Sequence, residues 1–495
     1  MKKLIYLTAI LSIVLTTYSC DDFLDREPLD QIVADNFYEN ENEVNLALIG
    51  SYAPLLDIDW TGKGWMITEI PSDNSQPGGT DPDFSPIDNF TVTADNIIVG
   101  NYWAKHYQMV TYANTVIARV NNTTTIDEAS KQPFLAEAKF LRAVAYFDLV
   151  RVFGGVPLIT DPPIFEEDLL YPRSTVPQVY ELIIEDFRFA SEHLPVERGG
   201  GELGRATKGA AMTYLSKVFL STRDFVQAKD FSKAVMELGV YELMSTYEAV
   251  FELATNDNNI ESIFQAQYAG CGPFGTGNPM QAFFAPWGEG ITKDRDGWGS
   301  HVPTGPSVSN PNTTMLDAYE VGDLRKKWTV MTPNEHYPNI NAEDGGYTYP
   351  PGGASATNGN IKKYVVGSGS NICFMSTPQN AHLLRYADVL LTYAEAQMEI
   401  DGGITADPAA LDAFNAVRQR AGLDPIAEIN KEIMLAERRV EFGFEGHRWF
   451  DLIRSNRAVE ILRLHGKNLD IHNLLFPIPS GELQVNPNLK QNPGY

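Results

Sequence analysis

Six charged residues stand close together near the C-terminus: Glu437, Glu441, Glu445, Arg448, Asp451 and Arg454. Two carboxylates of this kind can act as acid and base in glycoside cleavage. The three glutamates follow one another at four-residue steps, so on a helix they share one face. A glycosidase needs its carboxylates on opposite sides of the scissile bond. Glu445–Arg448 and Asp451–Arg454 have the i,i+3 spacing that neutralises charges in pairs. The apolar Trp449, Phe450, Leu452 and Ile453 between them read as core. The cluster is therefore expected to be a structural ion-pair network.

Other chemistry-bearing patterns fail on context. A GxGxxG at Gly270, Gly272 and Gly275 contains Pro273 and is followed by Asn278-Pro279, where a dinucleotide fold would open a helix. Asp294, Asp296 and Gly297 give a short D-x-D-G without the remaining ligands of a calcium loop. His447, His465 and His472 are too scattered for a metal site. No GxSxG elbow occurs. Glu289 and Asp294 are the carboxylates left for a glycosidase housed in loops. The expectation is a protein that is not an enzyme and needs no cofactor.

Binding chemistry is a better match. The 42 residues at 270–311 hold nine Gly and six Pro, a density that no helical period survives. They also hold Phe274, Phe284, Trp287 and Trp298, whereas disordered segments are poor in aromatics. Sugars present apolar C–H faces that flat rings can cover and a hydroxyl rim that amides and carboxylates can bond. Trp287 and Trp298 have glycine neighbours that leave ring faces unobstructed, and Trp65 in GKGWM sits in a similar setting. The candidate ligand-binding set is Trp65, Asp73, Asn74, Phe84, Phe274, Phe284, Trp287 and Trp298. Trp103, Trp328 and Trp449 lie in helix-like contexts and are assigned to packing.

The formal charge of −26 disfavours nucleic acid and suits a neutral ligand. Lys2 and Lys3 precede an apolar run at 4–19 and then Cys20, the anatomy of a lipoprotein signal cleaved before an acylated cysteine. Acyl chains on Cys20 would then be the membrane anchor. Cys271 and Cys373 remain, and whether they pair is open.

The positioning elements are mostly helical. Apolar periodicity predicts helices near 43–56, 101–120, 175–194, 207–221, 225–238, 383–399 and 408–421. A further long helix is expected to open at Pro133 and stop at Gly154-Gly155. That helix carries two apolar stripes and must be covered on two sides, as in a stack of helical pairs. The stretch 431–464 reads as helix interrupted near Gly443 and Gly446. Short strands are expected at 262–267 and 362–366. The fold expected is mainly α: a tetratricopeptide-like α-α superhelix with an irregular, loop-rich lobe. The division reads as signal 1–19, tether 20–40, scaffold 41–246 and 378–475, lobe 247–377 with loop 61–96 contributing, and an extended tail at 476–495.

Six stretches in order carry a resemblance: CDDFLDREPLD, EAKFLRAVAYFDLVRVFGGVPLI, LLRYADVLLTYAEAQ, VRQRAGL, ERRVEFGFEGHRWFDLIR and FPIPSGELQVNPNLKQNPGY. The chain resembles the SusD/RagB family, surface glycan-binding lipoproteins that partner SusC-type outer-membrane transporters. The resemblance implies a non-catalytic role in capturing oligosaccharide for a SusC-like TonB-dependent transporter. It also implies that Asp21 and Asp22 mark export to the outer leaflet, so that the protein faces the cell exterior. The motifs sit on the scaffold, whereas the lobe differs among members. Two rivals follow: a structural lid on the transporter with little glycan affinity, and a binder of a non-glycan nutrient such as peptide.

Overall fold

The computed structural model describes residues 37–77, 82–162, 170–272, 276–286, 289–291, 315–351, 359–369, 371–373 and 375–495. Helices α1 (Glu41–Gly50) and α2 (Lys63–Glu69) lead into two long helices, α3 (Ile97–Asn122) and α4 (Glu128–Phe153). Asn96 caps α3 by accepting from the backbone N–H of Ile98 and Val99. The start expected at Pro133 is five residues late. Asp127 accepts from the N–H of Ala129 and Ser130, and Pro133 lies inside the helix. A good N-cap outweighs the usual place of proline in the first turn.

Both stripes of α4 are buried, including Phe140, Phe147, Leu141 and Leu149. The reason is its position between α3 and α5 (Val176–His193), each packed along it. Burying each such phenylalanine contributes about 2 kcal/mol. The array continues through α6 (Lys208–Thr222) and α7 (Phe225–Glu237), each packed on its predecessor. Phe187 of α5 and Tyr214 of α6 stack with centroids 5.0 Å apart, and Phe140 of α4 meets both edge-on. After the lobe the array resumes. Helix α7 packs against α9 (Tyr386–Ile400), which packs on α10 (Pro408–Arg420) and α11 (Lys431–Glu441). The short α8 (Met280–Phe284) lies within the lobe, and α12 (Arg448–Arg454) follows α11.

The lobe leaves and re-enters the array as a pair of strands. β1 (Ser262–Ala266) runs antiparallel to β6 (Ala381–Arg385), with Ala266 opposite Ala381. Between them β2 (Val330–Met331) pairs with β5 (Asn360–Ile361), and β3 (His336–Tyr337) with β4 (Tyr347–Thr348). Two expectations change here. Residues 383–385 are strand, not the first turn of a helix, because β1 supplies their hydrogen-bond partners. The strand expected at 362–366 is instead Asn360–Ile361, and Tyr364 at φ 65° leaves extended geometry. One hydrophobic cluster runs from Phe140 and Phe147 of the array to Phe283, Tyr337 and Ile361 of the lobe. Among the described residues, no helix is long and apolar enough to cross a membrane.

Candidate ligand-binding lobe

The lobe is stitched along two opposed segments. Cys271 and Cys373 form a disulfide with Cα atoms 5.4 Å apart, which answers the pairing that the sequence left open. Asn278 and Thr377 exchange backbone hydrogen bonds of 2.8 and 3.1 Å, and the Asn278 amide donates to the Gln379 carbonyl at 2.8 Å. Gln281 of α8 accepts from the N–H of Val366 and Gly367 and donates to the Gly367 carbonyl. A buried glutamine with both ends bonded fixes this turn without leaving a polar group unpaired.

These contacts fasten the N-terminal part of the Gly-rich segment. On the entry side Ile291 is buried, and Tyr347 of β4 donates its hydroxyl to Glu289 Oε2 at 3.3 Å. On the return side Met315 is buried against Gly443, where a Cβ would stand 2.6 Å from its methyl. Phe274, Trp287, Trp298, Asp294 and Cys20 lie outside the described residues. Half-buried Tyr347 is a residue of this lobe that the candidate set omits, because a tyrosine in a two-residue strand has no sequence signature.

Four candidates turn inward, against the exposure expected of them. Trp65 is 4% exposed, donates its indole N–H to the Phe444 carbonyl at 2.9 Å, and meets Phe284 edge-on at 4.7 Å. Phe284 is 1% exposed. Rings that are this covered have no face to offer a sugar. Asp73 is clamped by Arg448 at 2.8 and 2.9 Å and by Arg439 at 3.2 Å. Asn74 donates to Glu69 Oε1 and accepts from Arg439. Phe84, at the head of the short helix Ser85–Asn89, is half-buried against the core.

The carboxylate cluster is an ion-pair network with different partners from those its spacing suggests. Asp451 does pair with Arg454, at 2.7 Å. Glu445 instead meets Arg385 at 2.7 Å and Lys363 at 2.8 Å, while Arg448 reaches across to Asp73. Helix α11 ends at Glu441, so Glu445 sits in the following turn and does not continue the face of Glu437 and Glu441. Burial raises the Glu441 carboxyl, but Arg420, Arg385 and Arg325 outweigh it and hold it at about 2. Glu445 is likewise held well below the ordinary range by Arg385 and Lys363 against the effect of its burial. A general acid needs the opposite shift. These groups tie α9, α10 and α11 to the lobe root.

Among known proteins, the model of the SusD family matches residues 260–495. A second model, described as starch-binding and associating with the outer membrane, matches residues 22–220. A SusD-like protein of Bacteroides ovatus is 32% identical over 453 residues, covering 88% of this chain and 79% of that protein. The chain belongs to the SusD family. Solved structures agree in fold. One with xylogluco-oligosaccharide is 28% identical and superposes at a TM-score of 0.77, covering 89% of this chain and 97% of its own. A laminarin-binding SusD-like protein is 27% identical at a TM-score of 0.76, covering 92% of this chain and 100% of its own. The mainly helical SusD architecture is thus shared along nearly the whole length, with the network of Glu441, Glu445 and Arg385 inside it.

Proposed function

We propose that this SusD-family chain is a cell-surface glycan-binding lipoprotein, anchored through acylated Cys20, that captures oligosaccharide without cleaving it. It delivers the sugar to a SusC-like TonB-dependent transporter in the outer membrane. The observation that carries this reading is the likeness, over about nine-tenths of the chain, to a solved structure described with xylogluco-oligosaccharide and to a laminarin-binding SusD-like protein. The non-catalytic part is supported by the Glu437, Glu441 and Glu445 carboxylates, each bonded to a guanidinium. Trp287 and Trp298 are the proposed stacking platforms. Calorimetry with laminarin and xyloglucan oligosaccharides tests this. Replacing both tryptophans by Ala is expected to weaken binding about tenfold or more, since buried tryptophan contacts dominate such sites.

A second reading, a structural lid with little glycan affinity, is favoured by the burial of Trp65 and Phe284, which withdraws two expected platforms. It prevails if the unsubstituted chain binds neither oligosaccharide while its deletion still abolishes glycan transport.

A further inference from the structure

A cleft of about 370 Å³ runs along the seam where β1 leaves the helical array. Its volume falls in the range of roughly 300–1,000 Å³ in which small-molecule sites occur. Three chain segments wall it: the connection between α5 and α6, the residues after α7, and the turn before β1.

The wall from the first segment is held by ion pairs. Glu137 is buried and accepts from Arg198 Nη2 at 2.8 Å and from Arg205 Nε and Nη2 at 2.6 and 2.7 Å. Glu202 faces the same pair, 3.4 Å from Arg198 and 3.2 Å from Arg205, so two carboxylates match the two guanidinia, and Glu197 in the same wall adds a negative charge that disfavours an anionic ligand. The second segment supplies a flat ring. Tyr241 lies directly against α6, because Gly209 has no Cβ there; one would stand 2.5 Å from the ring. Its hydroxyl shares a 3.1 Å hydrogen bond with Thr207, and the ring is half-buried, so part of it opens to the cleft.

The third segment supplies an amide rim. Asn258 adopts φ 46° and exchanges side-chain hydrogen bonds of 2.8 and 3.1 Å with Gln267. Its backbone N–H donates to Gln265, which also lines the cleft. Leu203 and Ile260 flank the opening, 54% and 47% exposed. A pinned aromatic ring, fixed amides, apolar flanks and the lack of an unmatched cation in the lining together match the apolar face and hydroxyl rim of a neutral sugar.

We propose that this cleft is a second saccharide site, specific for neutral oligosaccharide, that gives the protein two points of grip on one chain. The inference rests on the glycan-binding reading and adds a site to it. Two linked weak sites raise apparent affinity for a long glycan without any new contact at either.

The test uses the full mature chain, both unsubstituted and carrying Trp287→Ala with Trp298→Ala, labelled at isoleucine and leucine methyls. Laminarin oligosaccharides, xyloglucan oligosaccharides and an acidic oligogalacturonate are the probes. In the double-tryptophan background, a neutral probe should shift the Leu203 and Ile260 methyl signals. Ile260→Arg, at an exposed position, should lower the remaining affinity about fivefold or more, as should Tyr241→Ala if its melting temperature is retained. Absence of methyl shifts together with unchanged affinity in Ile260→Arg overturns the second site alone. Shifts with the oligogalacturonate only overturn its neutral specificity. If the unsubstituted chain binds no saccharide, the glycan-binding reading and this site fall together.

Discussion

Glu69 ends α2 inside the core, where its carboxylate accepts from Asn74 and from the backbone N–H of Phe444 and Gly446. Burial outweighs those bonds and pushes its pKa from 4.5 up to about 7. The folded state therefore holds this proton more tightly than the unfolded chain does. The stability it contributes is complete below pH 4.5 and is lost as the pH rises through about 7. Asp73, Glu445 and Asp451 behave oppositely. Burial raises each, yet Arg439 and Arg448, Arg385 and Lys363, and Arg438 and Arg454 respectively hold them well below the ordinary range. Their contribution is present above the ordinary carboxylate range and is lost in acid. In Glu69→Gln the difference in melting temperature from the parent is expected to move in the variant's favour between pH 4.5 and 7, by up to about 3 kcal/mol in stability. The slope with pH is the readout, since the amide adds a constant cost beside the Gly446 N–H. Thermal melts of both chains from pH 4 to 8 check it, and parallel curves would remove Glu69 as the titrating group. At this scale the sequence located the charged cluster but misassigned Glu445 and Arg448, whose partners lie far along the chain.

At the scale of elements, the disulfide is the covalent fastening of the lobe. Cys271 and Cys373 are 102 residues apart, and closing a loop of that size stabilises by about 4–5 kcal/mol in the chain-entropy account. Replacing both by Ser should lower the melting temperature and raise amide exchange in 269–285 and 366–380, leaving α3–α6 protected. Uniform loosening across α3–α6 would contradict that localisation. The long helices were legible because their apolar periodicity and caps lie within a few residues of each helix. The strand at 381–385 was not. LLRYADVLLTYAEAQ reads as continuous helix, and only the approach of β1 turns its first residues into a strand.

At the scale of the molecule, the array closes on itself through its tail. Phe476 donates its backbone N–H to the Val152 carbonyl, and the Asn492 amide donates to the carbonyls of Phe153 and Phe476. The tail thus seals the C-terminal end of α4. The proposed anchor is at the other end of the chain. Cys20→Ala is expected to release the protein from the membrane fraction with its melting temperature unchanged. Fractionation after metabolic fatty-acid labelling checks this, and retention with undiminished label would refute the anchor.

The sequence by itself determined the helical faces, the apolar leader before Cys20 and the motifs of the SusD family. These are carried by neighbours along the chain. The tertiary structure alone decided that Trp65 and Phe284 are covered, that Asp73 belongs to Arg448 and that Cys271 pairs with Cys373. Whether a ring faces solvent or a carboxylate finds its cation depends on what packs against it. For Asp73 that is a residue 375 positions away, which no local pattern encodes.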